Sequence, residues 1–201
     1  MNKIIKLTTL ALITAVFSSC TKDPILAADQ NKKTETTTTS TASDGELYLE
    51  EQLYPLNGFM GSNNGQSMTI DHLCTENPHS GKHCLSITFD GSESWSGNVM
   101  FASTPWKSNI GKDLSGYKRL TFWTRCNQKG LGNGQIHMGM KTNGNDFYGQ
   151  FFNYTSTEWR KITITLPGTV NSTLINYLFE YSQNAPVAGS TIYLDDIRYE
   201  K

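Results

Sequence analysis

Along 85–89 and 162–166 the chain alternates strictly between apolar and polar positions, as Leu85-Ser86-Ile87-Thr88-Phe89 and Ile162-Thr163-Ile164-Thr165-Leu166. A period of two places successive side chains on opposite faces, so each segment reads as a strand with one buried and one open face. Similar short runs of β-branched and aromatic residues predict strands at 47–50, 67–71, 98–102, 119–125, 135–140, 147–153, 177–181 and 191–199. Between them fall turn signals such as Asn63-Asn64-Gly65, Asn133-Gly134 and Asn143-Gly144. Helical spacing is present only weakly, over 173–179. Ten short strands with regular punctuation and no strand–helix rhythm predict an all-β fold, an antiparallel β-sandwich.

The amino-terminal end has a different texture. Lys3 and Lys6 precede an apolar stretch from Leu7 to Phe17, and Phe17-Ser18-Ser19-Cys20 follows. This is the layout of a secretory signal peptide over 1–20. Small residues before a cysteine resemble the lipobox of bacterial lipoproteins, which implies lipidation of Cys20. Several acyl chains on one cysteine would anchor the protein stably to a membrane. Thr21 is not the aspartate that retains such proteins at an inner membrane, so the resemblance implies an outer-membrane or cell-surface position. Residues 21–45, dominated by Thr34, Thr36, Thr37, Thr38, Thr39, Ser40, Thr41 and Ser43, carry no apolar period and read as a flexible polar linker. The folded domain is then 46–201.

Composition narrows the partners. Charged residues make up 17% of the 201, against about 25% in an average soluble protein, and the net charge is −1. Without a positive excess, an electrostatic grip on nucleic acid is not expected. A domain of about 155 residues buries roughly 70% of its unfolded surface and can stand alone, so a monomer is expected. Three cysteines lie beyond the signal. Cys74 and Cys84 flank a short polar loop, and export permits oxidation, so a Cys74–Cys84 disulfide is expected, with Cys126 left as a buried thiol. Number and spacing do not suit zinc.

Four blocks, in order, resemble the jelly-roll carbohydrate-binding modules of the galactose-binding-like superfamily. They are Asn77-Pro78-His79-Ser80-Gly81-Lys82-His83-Cys84-Leu85-Ser86-Ile87, then Asp113-Leu114-Ser115-Gly116-Tyr117-Lys118-Arg119-Leu120-Thr121-Phe122-Trp123. Trp159-Arg160-Lys161-Ile162-Thr163-Ile164 with Leu166-Pro167 follows, and Thr191-Ile192-Tyr193-Leu194-Asp195-Asp196-Ile197 closes the set. The resemblance implies a jelly roll over 46–201. It also implies a structural calcium held by Glu50 or Glu51, a backbone carbonyl near Ser80 and Lys82, and Asp195, all hard oxygen donors. Asp195 and Asp196 are adjacent, so on one strand they point to opposite faces and cannot chelate one ion together.

A glycan platform needs flat apolar rings for the C–H faces of sugars, with amides and charges for the hydroxyls. Candidates are Trp95, Trp106, Trp123, Arg125, Tyr148 and Gln150. Trp123 and Arg125, two apart, share a face, while Trp159 and Phe122 are assigned to the core. Catalysis is not expected: no pair of carboxylates stands in a glycosidase-like motif, and there is no Gly-x-Ser-x-Gly elbow, His-Glu-x-x-His or phosphate-cradling loop. The expected function is non-catalytic glycan binding at the cell envelope. The competing expectation is a protein-interaction or adhesion module with an envelope protein as partner.

Overall fold

The computed structural model describes residues 45–54, 56–60, 67–102, 111–127, 136–142, 147–152, 156–168 and 172–201. Cys20, the linker residues 21–44 and Trp106 lie outside the described residues. The described strands run in chain order as β1 (Glu46–Tyr48), β2 (Leu56–Met60), β3 (Met68–Cys74), β4 (Cys84–Phe89), β5 (Trp95–Phe101), β6 (Arg119–Cys126), β7 (Ile136–Thr142), β8 (Phe147–Phe152), β9 (Arg160–Thr165), β10 (Ile175–Asn184) and β11 (Thr191–Glu200).

These strands form two antiparallel sheets. One has the order β3-β4-β11-β6-β9, with β1 also paired to β11; the other has the order β2-β5-β10-β7-β8. On β11, residues 191–194 pair with β4, whereas Ile197 and Arg198 pair with β1. The exchange falls at Asp195 and Asp196, where the register with β6 also shifts and Asp196 adopts φ 49°. A bulge there bends the strand and lets one strand serve two neighbours.

The inner faces meet through the alternation read from the sequence. Leu85, Ile87 and Phe89 of β4, Leu120 and Phe122 of β6, and Met138 and Met140 of β7 are buried together with Phe179 and Tyr181 of β10. Phe122 crosses from one sheet to Phe179 of the other, edge-on at 5.2 Å and 76°. That geometry suits the ring quadrupoles and ties the layers together.

Two differences from the sequence reading have clear causes. β2 was not among the predicted strands because Asn57-Gly58 at its middle reads as a turn, yet it pairs in register with β5. The weak helical spacing at 173–179 belongs to β10, where a register shift between Tyr177 and Phe179 turns both Leu178 and Phe179 inward. That bulge mimics a helical period.

Candidate functional site

The outer faces of the two sheets differ in what covers them. On the six-stranded sheet, β6 does turn Trp123 and Arg125 to the same side, opposite the core residue Phe122. That side is not open. The loop from β3 to β4 folds back over it, and His79 stacks on Trp123 with centroids 3.7 Å apart and planes 17° from parallel. Arg125 is buried with its guanidinium carbon 3.6 Å from the Tyr193 ring centre, donates to the Glu76 carbonyl, and faces the Glu76 carboxylate at 3.8 Å. Trp159, expected in the core, instead packs with Cys74, Cys84 and Tyr193 on this outer side, its indole N–H bonded to the Asn77 carbonyl at 2.9 Å. Trp123 and Arg125 therefore hold down their own loop and offer no free platform to a ligand.

The same loop engages the residues expected to bind calcium. The Lys82 N–H reaches both Glu50 carboxylate oxygens at 3.1 and 2.9 Å. Asp195 Oδ2 accepts from the His79 and Ser80 N–H groups at 2.9 and 3.1 Å, and Oδ1 from the Asp196 N–H at 2.8 Å. Gly81, at φ 58°, presses its α-carbon against Glu50, where a Cβ would overlap Oε1. A cation needs oxygens turned toward it, whereas here the backbone turns hydrogens toward the carboxylates. No group of three or more His, Cys, Asp or Glu side chains that could hold a metal exists among the described residues. The donors present do not fit a calcium ion.

Burial, opposed by those N–H bonds and assisted by the neighbouring Asp196 charge, pushes the Asp195 carboxyl up to about 6. Beside this loop lies an open cleft of about 470 Å³ lined by Glu50, Glu51, Leu73, Gly81, Lys82 and His83. No Trp, Tyr or Phe is among these lining residues, and the one ring is the His83 imidazole.

Cys74 and Cys84 are direct partners in the β3–β4 register, but both are free thiols, as is Cys126. The expected bridge is not formed in this structure. Burial and the adjacent Cys74 thiol push the Cys84 thiol up to about 12, so it stays protonated, and only a thiolate attacks or exchanges.

The five-stranded sheet presents the other outer face. Because Ile136, Met138 and Met140 point into the core, His137 and Gly139 lie on the outside of β7. In register across the sheet run Gly97, Ser182, His137 and Phe151 in one row, and Val99, Glu180, Gly139 and Gly149 in the next. Trp95, opposite Asn184, extends the first strand of this face and is half-buried. Phe151 is 59% exposed on the edge strand β8, an unusual position for a phenyl ring. From β5 to β8 is three strand spacings, roughly 14 Å.

Of the candidates read from the sequence, Trp95 belongs to this face. Tyr148 does not: it sits on the other side of β8 and packs against the core, with Gln150 on the same side but exposed at the edge. Phe151 and His137 were missed. Their signal was Gly149 two residues before Phe151 on one strand and Gly139 two after His137 on its neighbour, two strand-interior positions that carry no side chain of their own.

No protein-family model and no curated protein matches this chain. Solved structures do. The family 30 carbohydrate-binding module of the cellulosomal cellulase Cel9D-Cel44B of Clostridium thermocellum aligns with a TM-score of 0.52 and 17% identity, over 78% of this chain and 96% of that one. A second family 30 carbohydrate-binding module aligns at 0.52 and 12%, over 77% and 86%. BiXyn10A CBM1 in its apo form aligns at 0.51 and 16%, over 79% and 97%. The chain shares with them the jelly-roll β-sandwich fold.

Proposed function

We propose that this protein is a non-catalytic glycan-binding module that uses the outer face of its five-stranded sheet. The observation that carries the reading is Phe151, a ring 59% exposed on the outer face of the sheet at its edge strand. The jelly-roll likeness to carbohydrate-binding modules supports it. Phe151 and Trp95 supply apolar surface for sugar C–H faces; the half-buried Ser182 and the exposed Asn184 supply hydrogen-bonding groups for hydroxyls. Glu180 is the one acidic residue at the described strand positions of this face, and glycoside hydrolysis by the common route requires two.

The test is affinity electrophoresis of the full-length protein through hydroxyethyl cellulose, xylan, galactan and mannan. At least one polysaccharide should retard it, and Phe151→Ala should abolish the retardation without changing the melting temperature. Retardation by none of them would leave the adhesion reading in its place.

Cys20 belongs to the same proposal as the lipid anchor that holds the module at the cell envelope, with 21–45 as its tether. Labelling with a palmitate analogue in a bacterial host should mark the wild type and not Cys20→Ser. Equal labelling of both would remove the anchor.

A further inference from the structure

The ring proposed to meet the ligand does not stand alone, and its support is specific. Phe151 lies edge-to-face with His137, centroids 4.4 Å apart and planes at 65°. His137 is 2% exposed although it lies on the outer face of the sheet, so its imidazole is covered from above. Beneath it is Gly149: a Cβ built there would come within 2.5 Å of both Cε1 and Nε2 of the imidazole. At the partner position Gly139, a Cβ would run into the Tyr148 carbonyl oxygen. Glycine inside a strand weakens it by loss of backbone entropy and of packing surface. Two of them directly opposed, next to an edge, need a compensating reason. The imidazole's place supplies it for Gly149.

Resting on the reading of this face as the glycan site, we infer that His137 is a positioning residue: seated over Gly149, it holds the Phe151 ring in the orientation that stacks on a flat pyranose. An aromatic side chain on an edge strand has a neighbour on one side only and would otherwise exchange between rotamers. Fixing it before the ligand arrives removes that ordering cost from binding. His137 touches the ring and not the sugar, so its contribution passes entirely through Phe151. Any side chain larger than hydrogen at 149 displaces the imidazole and releases the ring.

Two measurements test this on the full-length protein. The first needs no glycan. Aromatic proton shifts and ring-carbon relaxation of Phe151 should report an ordered ring in the wild type, a mobile one in His137→Ala, and order regained in His137→Phe. A ring equally ordered in His137→Ala overturns the inference.

The second measures retardation through the same four polysaccharides. His137→Ala should weaken binding by up to roughly tenfold, and His137→Phe should return it to within about threefold of wild type, at unchanged melting temperature. A general loss of structure would not be rescued by the second aromatic. Loss of binding in Phe151→Ala together with undiminished binding in His137→Ala overturns the positioning role alone. Undiminished binding in Phe151→Ala overturns the glycan reading of this face, while the relaxation measurement still decides whether His137 holds the ring.

Discussion

Acidification should stabilise this protein between pH 7 and pH 4 through one carboxyl. Asp195 is fully buried at the point where β11 changes neighbours, and its carboxyl is pushed up to about 6 from an ordinary value of 3.8. At about 1.4 kcal/mol for each pH unit, keeping it charged in the folded state at pH 7 costs on the order of 3 kcal/mol. The sign follows from linkage. The folded-state value lies above the unfolded one, so the contribution is present in full below pH 4 and is lost as pH rises through 6.

Glu200 works in the opposite direction but in a different window. Burial raises its carboxyl, yet Thr121, Lys161 and Arg119 together outweigh that and hold it below the usual range. Its contribution is therefore lost only as pH falls below about 4.5. Urea unfolding at half-unit steps from pH 7.5 to 4, on wild type and Asp195→Asn, isolates the buried group because all other carboxyls are common to both. The wild type should gain on the variant by about 2.5 kcal/mol across this range, rather more than half of it by pH 5. Carbon-detected titration of the Asp195 carboxyl should give a midpoint near 6. A flat difference between the two proteins, or a midpoint at or below 4, would show that the three N–H donors outweigh burial.

Other expectations concern the loop, the core and the thiols. Gly81→Ala should destabilise by about 1–3 kcal/mol in urea, since φ 58° is strained for alanine and the new methyl meets the Glu50 carboxylate. Millimolar calcium and excess EDTA should give the same melting temperature; a rise with calcium concentration would show native-state binding and return the ion to Glu50 and Asp195. Phe122→Ala, which empties the junction between the sheets, should cost about 3–5 kcal/mol by urea unfolding. Cys84 should resist iodoacetamide in the native protein at pH 8 and react once unfolded, as read by mass.

Strand content was readable because its cause is local. A strand with one open face must alternate, and 85–89 and 162–166 do so in sequence whatever lies around them. Strand order is not local: no feature of 191–200 alone announces that it pairs with β4, β1 and β6 in turn. The aromatic residues follow the same division. Alternation correctly placed Trp123 and Arg125 on one face, yet could not report that a loop nearly fifty residues earlier in the chain returns to cover that face. Trp123 drew attention to that sheet, while the exposed ring belongs to a phenylalanine on the other.

What the sequence determined by itself is most of the strands, the buried side of those that alternate, and hence the sandwich, because hydrophobic periodicity is enforced residue by residue. What only the tertiary structure decided is that a loop covers Trp123 and Arg125 while Phe151 stays exposed on the other sheet, that the carboxylates of Glu50 and Asp195 meet N–H groups, and that Gly149 makes room for His137 beside Phe151. Those facts depend on contacts between segments far apart in the chain, and such contacts leave no period to read.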